Sequence, residues 1–174
     1  LHLNGEGAGM NVSEEVLQNT GGLPAMNYAT IEAWISIEEW QTGAAIFNKS
    51  DESNQFSIKL GDESKKELLV GINGYTYNFE NALTAAGWEH IAVSIVSTTG
   101  RAISRIRLFT DSGASQTYAD DITTIPDEDD FTFMNTSADA VIGENFKGYI
   151  DDVVVWGNAR TSAQIAQDAA GTSG

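Results

Sequence analysis

The sequence predicts an all-β fold, a two-sheet antiparallel sandwich that ends in one short C-terminal helix. Three observations predict it. Short runs of alternating apolar and polar residues recur along the 174-residue chain, and this alternation is typical of half-buried strands. Clusters of Gly, Asn, Asp and Ser separate the runs, as turns require. A clear helical pattern occurs only at the C-terminal end, and ten or more short strands with one helix favour a sandwich.

The predicted strands follow one another along the chain. Residues 1–3 begin as a strand, and in residues 30–37 the side chains of Ile31, Ala33, Ile35 and Ile37 fall on one side. Runs with the same period of two occupy residues 56–60, 68–72, 90–96, 105–109, 138–142 and 149–156. Residues 73–74 (Asn-Gly) fit a two-residue hairpin turn, because both residue types accept a positive φ.

The helix is predicted from its first turn. Thr161 is the expected N-cap, and Gln164 stands at the position from which a side chain reaches back to the cap backbone. Ile165, Ala166 and Ala169 give the helix a modest apolar stripe. Residues 13–18 are compatible with a second short helical turn, and the acidic residues 127–130 are interpreted as a solvated loop.

Length and charge limit the classes of function that the protein can have. The chain suits one domain over residues 1–174. Its 9 Lys and Arg residues stand against 25 Asp and Glu residues, a formal net charge of −16. Such a charge argues against nucleic acid and anionic lipid surfaces, and no apolar run approaches the ~20 residues that insertion into a membrane requires. The absence of Cys excludes disulfides and thiolate metal sites. No leader peptide is visible, so a mature or excised domain is expected.

Four segments, in this order, resemble a known family. Residues 28–35 (YATIEAWI), 87–93 (GWEHIAV), 107–113 (RLFTDSG) and 142–156 (IGENFKGYIDDVVVW) are similar to strands of laminin-G-like and pentraxin-like domains. These belong to the concanavalin A-like lectin/glucanase superfamily. The resemblance implies a jelly-roll sandwich in a secreted or cell-surface protein, expected to be bacterial. The family includes lectins, adhesion modules, accessory domains of glycosidases and true glucanases, so it fixes the fold more closely than the ligand.

A calcium site is the expected cofactor site. Asp151 and Asp152 are adjacent in a predicted strand, so one carboxylate would face the core unless a cation neutralised it. The resemblance implies a structural calcium between the first and last strands, with Asn4 and Asp151 at the ligand positions. In the alternative interpretation, the two Asp side chains cap a bulge or pair with backbone amides.

The candidate ligand-binding residues are Tyr75, Tyr77, Asn78 and Trp40. Aromatic rings stack on sugars and amides bind hydroxyl groups, and alternation puts Tyr75, Tyr77 and Phe79 on one face of their strand and Asn78 on the other. The alternative is structural: hairpin packing for the tyrosines and a loop anchor for Trp40.

The remaining tryptophans, Trp34, Trp88 and Trp156, are predicted to fill the core, because an indole occupies a large volume and needs only one hydrogen-bond partner. His90 is interpreted as a hydrogen-bonded, partly buried histidine of a strand. No E-x-D-x-E strand occurs that would align carboxylates beside a glycosidic bond. No catalytic residue is therefore predicted.

Together these observations predict a non-catalytic recognition module, with a glycan as the preferred ligand and calcium as a structural ion. The alternatives are a protein-binding adhesion or spacer module among other domains of the same chain, and a glycoside hydrolase with dispersed acids.

Overall fold

The computed structural model describes residues 1–5, 7, 9–13, 28–50, 55–72, 74–98, 102–110, 115–118 and 138–171. Most of the predicted helical turn at residues 13–18 and the acidic segment 127–130 lie outside these residues.

The predicted two-sheet antiparallel sandwich is confirmed. In chain order the strands are β1 (His2–Asn4), β2 (Met10–Val12), β3 (Tyr28–Glu39), β4 (Ala45–Ser50), β5 (Gln55–Leu60), β6 (Leu68–Ile72), β7 (Tyr75–Phe79), β8 (Trp88–Thr98), β9 (Ala102–Thr110), β10 (Ser115–Tyr118), β11 (Ala140–Ile142) and β12 (Lys147–Trp156). Sheet A has the order β1-β12-β3-β8-β9-β10, and sheet B has the order β2-β11-β4-β5-β6-β7. Neighbouring strands pair antiparallel throughout.

The core lies between the two sheets and follows the predicted alternation. Ile31, Ala33 and Ile35 of β3 are buried together with Ile91 and Val93 of β8. Sheet B supplies the opposite layer, which includes Phe47, Phe56, Ile58, Leu60, Leu68, Val70 and Ile72. Burying one such side chain contributes about 1.5–3 kcal/mol, and these aliphatic and phenyl side chains form the continuous core of the sandwich.

The prediction that Trp34, Trp88 and Trp156 fill this core is wrong. None of the three belongs to the buried cluster between the sheets. Trp34 alternates with Ala33 and Ile35, so it points to the outer face of sheet A. Trp88 is 48% exposed, and Trp156 lies beside Arg160, which stands 4.0 Å from its ring centroid. The alternation that buries the isoleucines therefore turns these indoles outward.

Helix α1 (Ser162–Ala169) covers one end of the outer face of sheet A, and its predicted capping box is confirmed. Thr161 Oγ1 accepts a hydrogen bond from the Gln164 backbone N–H at 3.3 Å, and Gln164 Oε1 accepts one from the Thr161 N–H at 2.9 Å. Ile165 packs on Ala92 and Phe109. Within the described residues, no helix is long and apolar enough to cross a membrane.

A buried ionic cluster lies where the helix meets the sheet. Glu32, 2% exposed, lies with Oε2 3.4 Å from His90 Nε2 and Oε1 3.7 Å from Arg160 Nε. Arg160 also forms an ion pair with Asp168 of the helix. His90 is interpreted from the sequence as a partly buried histidine with a polar partner; the structure gives it the partner but buries it almost fully, at 4% exposed, and the cluster joins α1 to β3 and β8.

Candidate functional site

The candidate site is a groove on the outer face of sheet B, formed by the meander β5-β6-β7. Ser57 pairs with Gly71 and Gly71 with Thr76 across these three strands. Lys59, Leu69 and Asn78 form the next row in the same way. Since Phe56, Ile58 and Leu60 are buried against the core, alternation turns Ser57 and Lys59 to the outside.

The groove has a volume of about 230 Å³. It is lined by Gln55, Ser57, Lys59, Leu69, Gly71, Ile72, Gly74, Tyr75 and Thr76. Gly71 keeps its floor open, because a Cβ atom at this position would lie 2.6 Å from Ser57 Oγ. Hydroxyl groups, an amide, one ammonium group and the apolar side chain of Leu69 therefore surround a glycine floor.

Tyr75 and Asn78 lie at or beside this groove. Ile72 pairs with Tyr75 as the predicted hairpin requires, and Gly74 adopts a φ of 84° in the turn. Tyr75 is 40% exposed and borders the end of the groove. It pairs with buried Ile72, so its side chain leaves β7 on the core-facing side together with Tyr77 and Phe79, and its carbonyl oxygen is the atom near Gly71. Asn78 is exposed opposite Leu69, one row beyond the Gly71 row.

Tyr77 and Trp40 are held elsewhere, and their contacts favour the structural interpretation. Tyr77 packs against the core, and burial raises the pKa of its hydroxyl above the ordinary value of 10.0. Trp40 also packs against the core, its Nε1 donates a hydrogen bond to the Gly61 carbonyl at 3.0 Å, and Lys66 Nζ lies 5.0 Å from its ring centroid. Trp40 thus anchors a loop, and neither residue lines the groove.

Sequence reasoning missed Ser57, Lys59 and Gly71, although a signal for two of them was present. The alternation of residues 56–60 already assigns Ser57 and Lys59 to one face. The position of Gly71 between Ser57 and Thr76 could not be predicted, because this pairing depends on the register of three strands.

The expected calcium ligands Asn4 and Asp151 do not meet. Asn4 pairs with Lys147, and Asp151 lies four residues farther along β12, about 13 Å away at the usual rise of a strand. Asp151 instead pairs with Trp34 of β3. This pair of residues therefore does not fit one bound ion. Within the described residues, no three or more His, Asp or Glu side chains form a group that could hold a metal.

Asp151 and Asp152 adopt the alternative arrangement. The register between β12 and β3 shifts after Asp151, as a bulge requires, and Asp152 has a φ of 46°. The Asp152 N–H donates a hydrogen bond to Asp151 Oδ1 at 3.0 Å. Both side chains are exposed, so the bulge removes the buried carboxylate that was the reason to expect a cation.

Comparison with known proteins supplies a family. A laminin-G-type model described as the concanavalin A-like lectin/glucanases superfamily matches residues 4–166. Comparison of the sequence with curated proteins gives no match.

Several solved structures share the fold. Domain 4 of AbnA, a GH43 extracellular arabinanase from Geobacillus stearothermophilus, in complex with arabinotriose, is 20% identical with a TM-score of 0.65, over 95% of this chain and 74% of that one. The CBM40 of Ruminococcus gnavus IT-sialidase, bound to α2,3 sialyllactose, is 14% identical with a TM-score of 0.68, over 95% and 94%. A heptameric SAP-like pentraxin from Limulus polyphemus is 14% identical with a TM-score of 0.55, over 83% and 70%.

Proposed function

The chain belongs to the concanavalin A-like lectin/glucanases superfamily, and from this premise we propose that it is a non-catalytic carbohydrate-binding module of a secreted or cell-surface protein. The observation that carries the proposal is the groove over Gly71 on the outer face of sheet B. A concave site with a few converging polar groups suits a small polar ligand.

The chemistry of the lining matches a sugar ring. Leu69, which is partly exposed on the same face as Lys59, offers an apolar contact for the C–H groups of a saccharide. The hydroxyl groups of Ser57 and Thr76 can donate and accept hydrogen bonds, and the Lys59 ammonium group can donate them. Two of the similar structures are named as complexes with arabinotriose and with sialyllactose, which supports a saccharide as the ligand class.

The same lining supports a binding role without catalysis. Of the described residues that line the groove, none carries a carboxylate. Hydrolysis of a glycosidic bond by the usual route needs two carboxyl groups, about 5–5.5 Å apart in retaining enzymes and about 6.5–9.5 Å apart in inverting ones.

The test is a binding titration of the whole chain with arabinotriose, sialyllactose and an array of neutral and acidic oligosaccharides. Gly71→Val should abolish binding, since its side chain would occupy the space in front of Ser57 Oγ. Ser57→Ala should weaken binding by about threefold to tenfold through loss of a hydrogen bond.

Trp88→Ala is the matched control, because it removes an exposed aromatic side chain from the opposite sheet and should leave saccharide binding unchanged. The proposal fails if no saccharide binds, or if binding survives Gly71→Val in a chain whose circular dichroism spectrum is native.

A further inference from the structure

A row of aromatic side chains crosses four strands on the outer face of sheet A. His2 of β1 pairs with Tyr149 of β12, Tyr149 pairs with Ser36 of β3, and Ser36 pairs with Trp88 of β8. Residues directly opposite one another on antiparallel strands share a face. Three rings and one hydroxyl group therefore stand in one line, about 14 Å long at the usual strand spacing.

The rings of this row touch one another and remain open to solvent. The His2 and Tyr149 rings stack with centroids 4.4 Å apart and planes 15° apart. The Trp88 and Tyr149 centroids are 6.0 Å apart. Trp88 is 48% and Tyr149 36% exposed. A contiguous exposed apolar patch is uncommon on a soluble domain and marks an interaction surface.

Carboxylates flank the row. Glu38 Oε2 lies 3.4 Å from His2 Nε2, and Asp151 follows Tyr149 by two residues on β12, on the same face. The nearby ammonium group of Lys147 is already paired with Glu39. The N-terminal ammonium group of Leu1, which donates to the Ile150 carbonyl at 2.9 Å, offsets one of the two carboxylates. The remaining charge at the row is negative, which complements a cationic partner.

Two of the other three tryptophans carry a cation over the ring. Trp40 carries Lys66 over its ring at 5.0 Å, and Trp156 carries Arg160 at 4.0 Å. Trp88 is the most exposed of the described tryptophans, and within the described residues no cation lies over its ring. Its indole can therefore accept a cation from another molecule.

We propose that this row is a docking surface for a basic segment of a partner protein. A Lys or Arg side chain of that segment stacks on Trp88, and Glu38 and Asp151 accept hydrogen bonds from its neighbouring cationic groups. The surface lies on the sheet opposite the proposed saccharide groove and does not depend on it.

The test uses an acetylated Arg-Gly-Arg-Gly-Arg peptide as the probe and a Gln-Gly-Gln-Gly-Gln peptide as its control. Titration of the ¹⁵N-labelled chain at physiological salt should shift the Trp88 indole N–H signal with the Arg peptide only. The Trp88 indole N–H signal is assigned as the one that is missing from the spectrum of Trp88→Phe.

Calorimetric titration measures the contribution of each group. Trp88→Ala should weaken binding of the Arg peptide by about fivefold to tenfold, and Glu38→Gln and Asp151→Asn should each weaken it by about twofold to threefold. Tyr75→Ala, an exposed aromatic change on sheet B, should leave the affinity unchanged. Trp88→Ala does not alter the net charge of −16, so a general attraction of the peptide to an acidic protein would not respond to it.

Two results would overturn the proposal. One is an affinity for the Arg peptide that Trp88→Ala leaves unchanged. The other is a Trp88 indole signal that neutral oligosaccharides shift and the Arg peptide does not, which would make the row a second saccharide site.

Discussion

Replacing Arg160 by Met tests the buried ionic cluster beneath helix α1. Glu32 is 2% exposed, and both of its oxygens lack a hydrogen-bond partner among the described residues. His90 Nε2 lies 3.4 Å from one of these oxygens, and the Arg160 guanidinium group lies 3.7 Å from the other and supplies a positive charge; the Arg160 side chain is only 13% exposed. Met retains an aliphatic stem of similar length while the guanidinium group is lost.

The expected loss of stability is large because a buried charge loses its strongest partner. Breaking one side of a buried ion pair costs about 3–5 kcal/mol, and most of this is the uncompensated charge that remains. For a domain of this size, about 1 kcal/mol corresponds to roughly 2–4 °C in melting temperature. The Arg160→Met chain should therefore melt roughly 6–20 °C below the wild type.

Urea denaturation followed by far-UV circular dichroism measures the change. Lys147→Met is the matched control, because it breaks the exposed pair with Glu39, whose side chain is 58% exposed, and should cost about 0–1 kcal/mol. Adding Glu32→Gln to Arg160→Met should recover part of the loss, since the Glu32 charge is then no longer buried alone, although Asp168 still lacks its ion-pair partner. Equal destabilisation by Arg160→Met and Lys147→Met would refute the reasoning.

Three further predictions concern the backbone, the helix cap and calcium. Gly148→Ala should lower the free energy of unfolding, measured by a thermal melt, by about 2–4 kcal/mol. Gly148 has a φ of 144°, and an added Cβ would clash with the Ser36 carbonyl oxygen. The control Gly43→Ala should cost about 1 kcal/mol, because an added Cβ there meets no atom within 4 Å. Thr161→Ala should lower the free energy of unfolding in urea by about 1 kcal/mol through loss of the cap. The melting temperature of the wild type, and that of Asp151→Ala, should be the same in calcium and in chelator. A rise in melting temperature with calcium that Asp151→Ala abolishes would contradict the separation of Asn4 and Asp151.

The elements that the sequence predicts well are those whose signals are local. Residues 30–37 alternate without interruption and form the middle of β3. The capping box of α1 lies within four consecutive residues. β4 was missed because its residues do not alternate: Ala45, Ile46 and Phe47 are all buried, and a register shift interrupts the strand between Ala45 and Phe47.

The errors have separate physical causes. Asp151 and Asp152 were expected to point to opposite faces, but the bulge leaves both side chains in solvent. Alternation with Ile91 and Val93 places Trp88 on the outer face of the sheet, whereas the volume of an indole favours the core. Here the period of the strand decides burial.

The groove and the aromatic row were beyond sequence reasoning because each is assembled by strand pairing. The row joins His2, Ser36, Trp88 and Tyr149, which are distant along the chain and meet only through the order β1-β12-β3-β8. A shift of one residue in any of these pairings would turn one ring to the core face. Such sites are determined by register, which composition and periodicity do not contain.

The two outer faces of the sandwich have opposite local character within one acidic chain. The groove on sheet B presents Lys59 and no carboxylate among its described lining, whereas Glu38 and Asp151 flank the row on sheet A. Packed sheets lie about 10 Å apart, and the core between them is a close-packed set of aliphatic and phenyl side chains of the kind that favours one arrangement. Energetic coupling between sites requires an element with two arrangements. A saccharide in the groove and a basic segment on the row would therefore bind independently, and one domain of this kind could link a glycan to a protein.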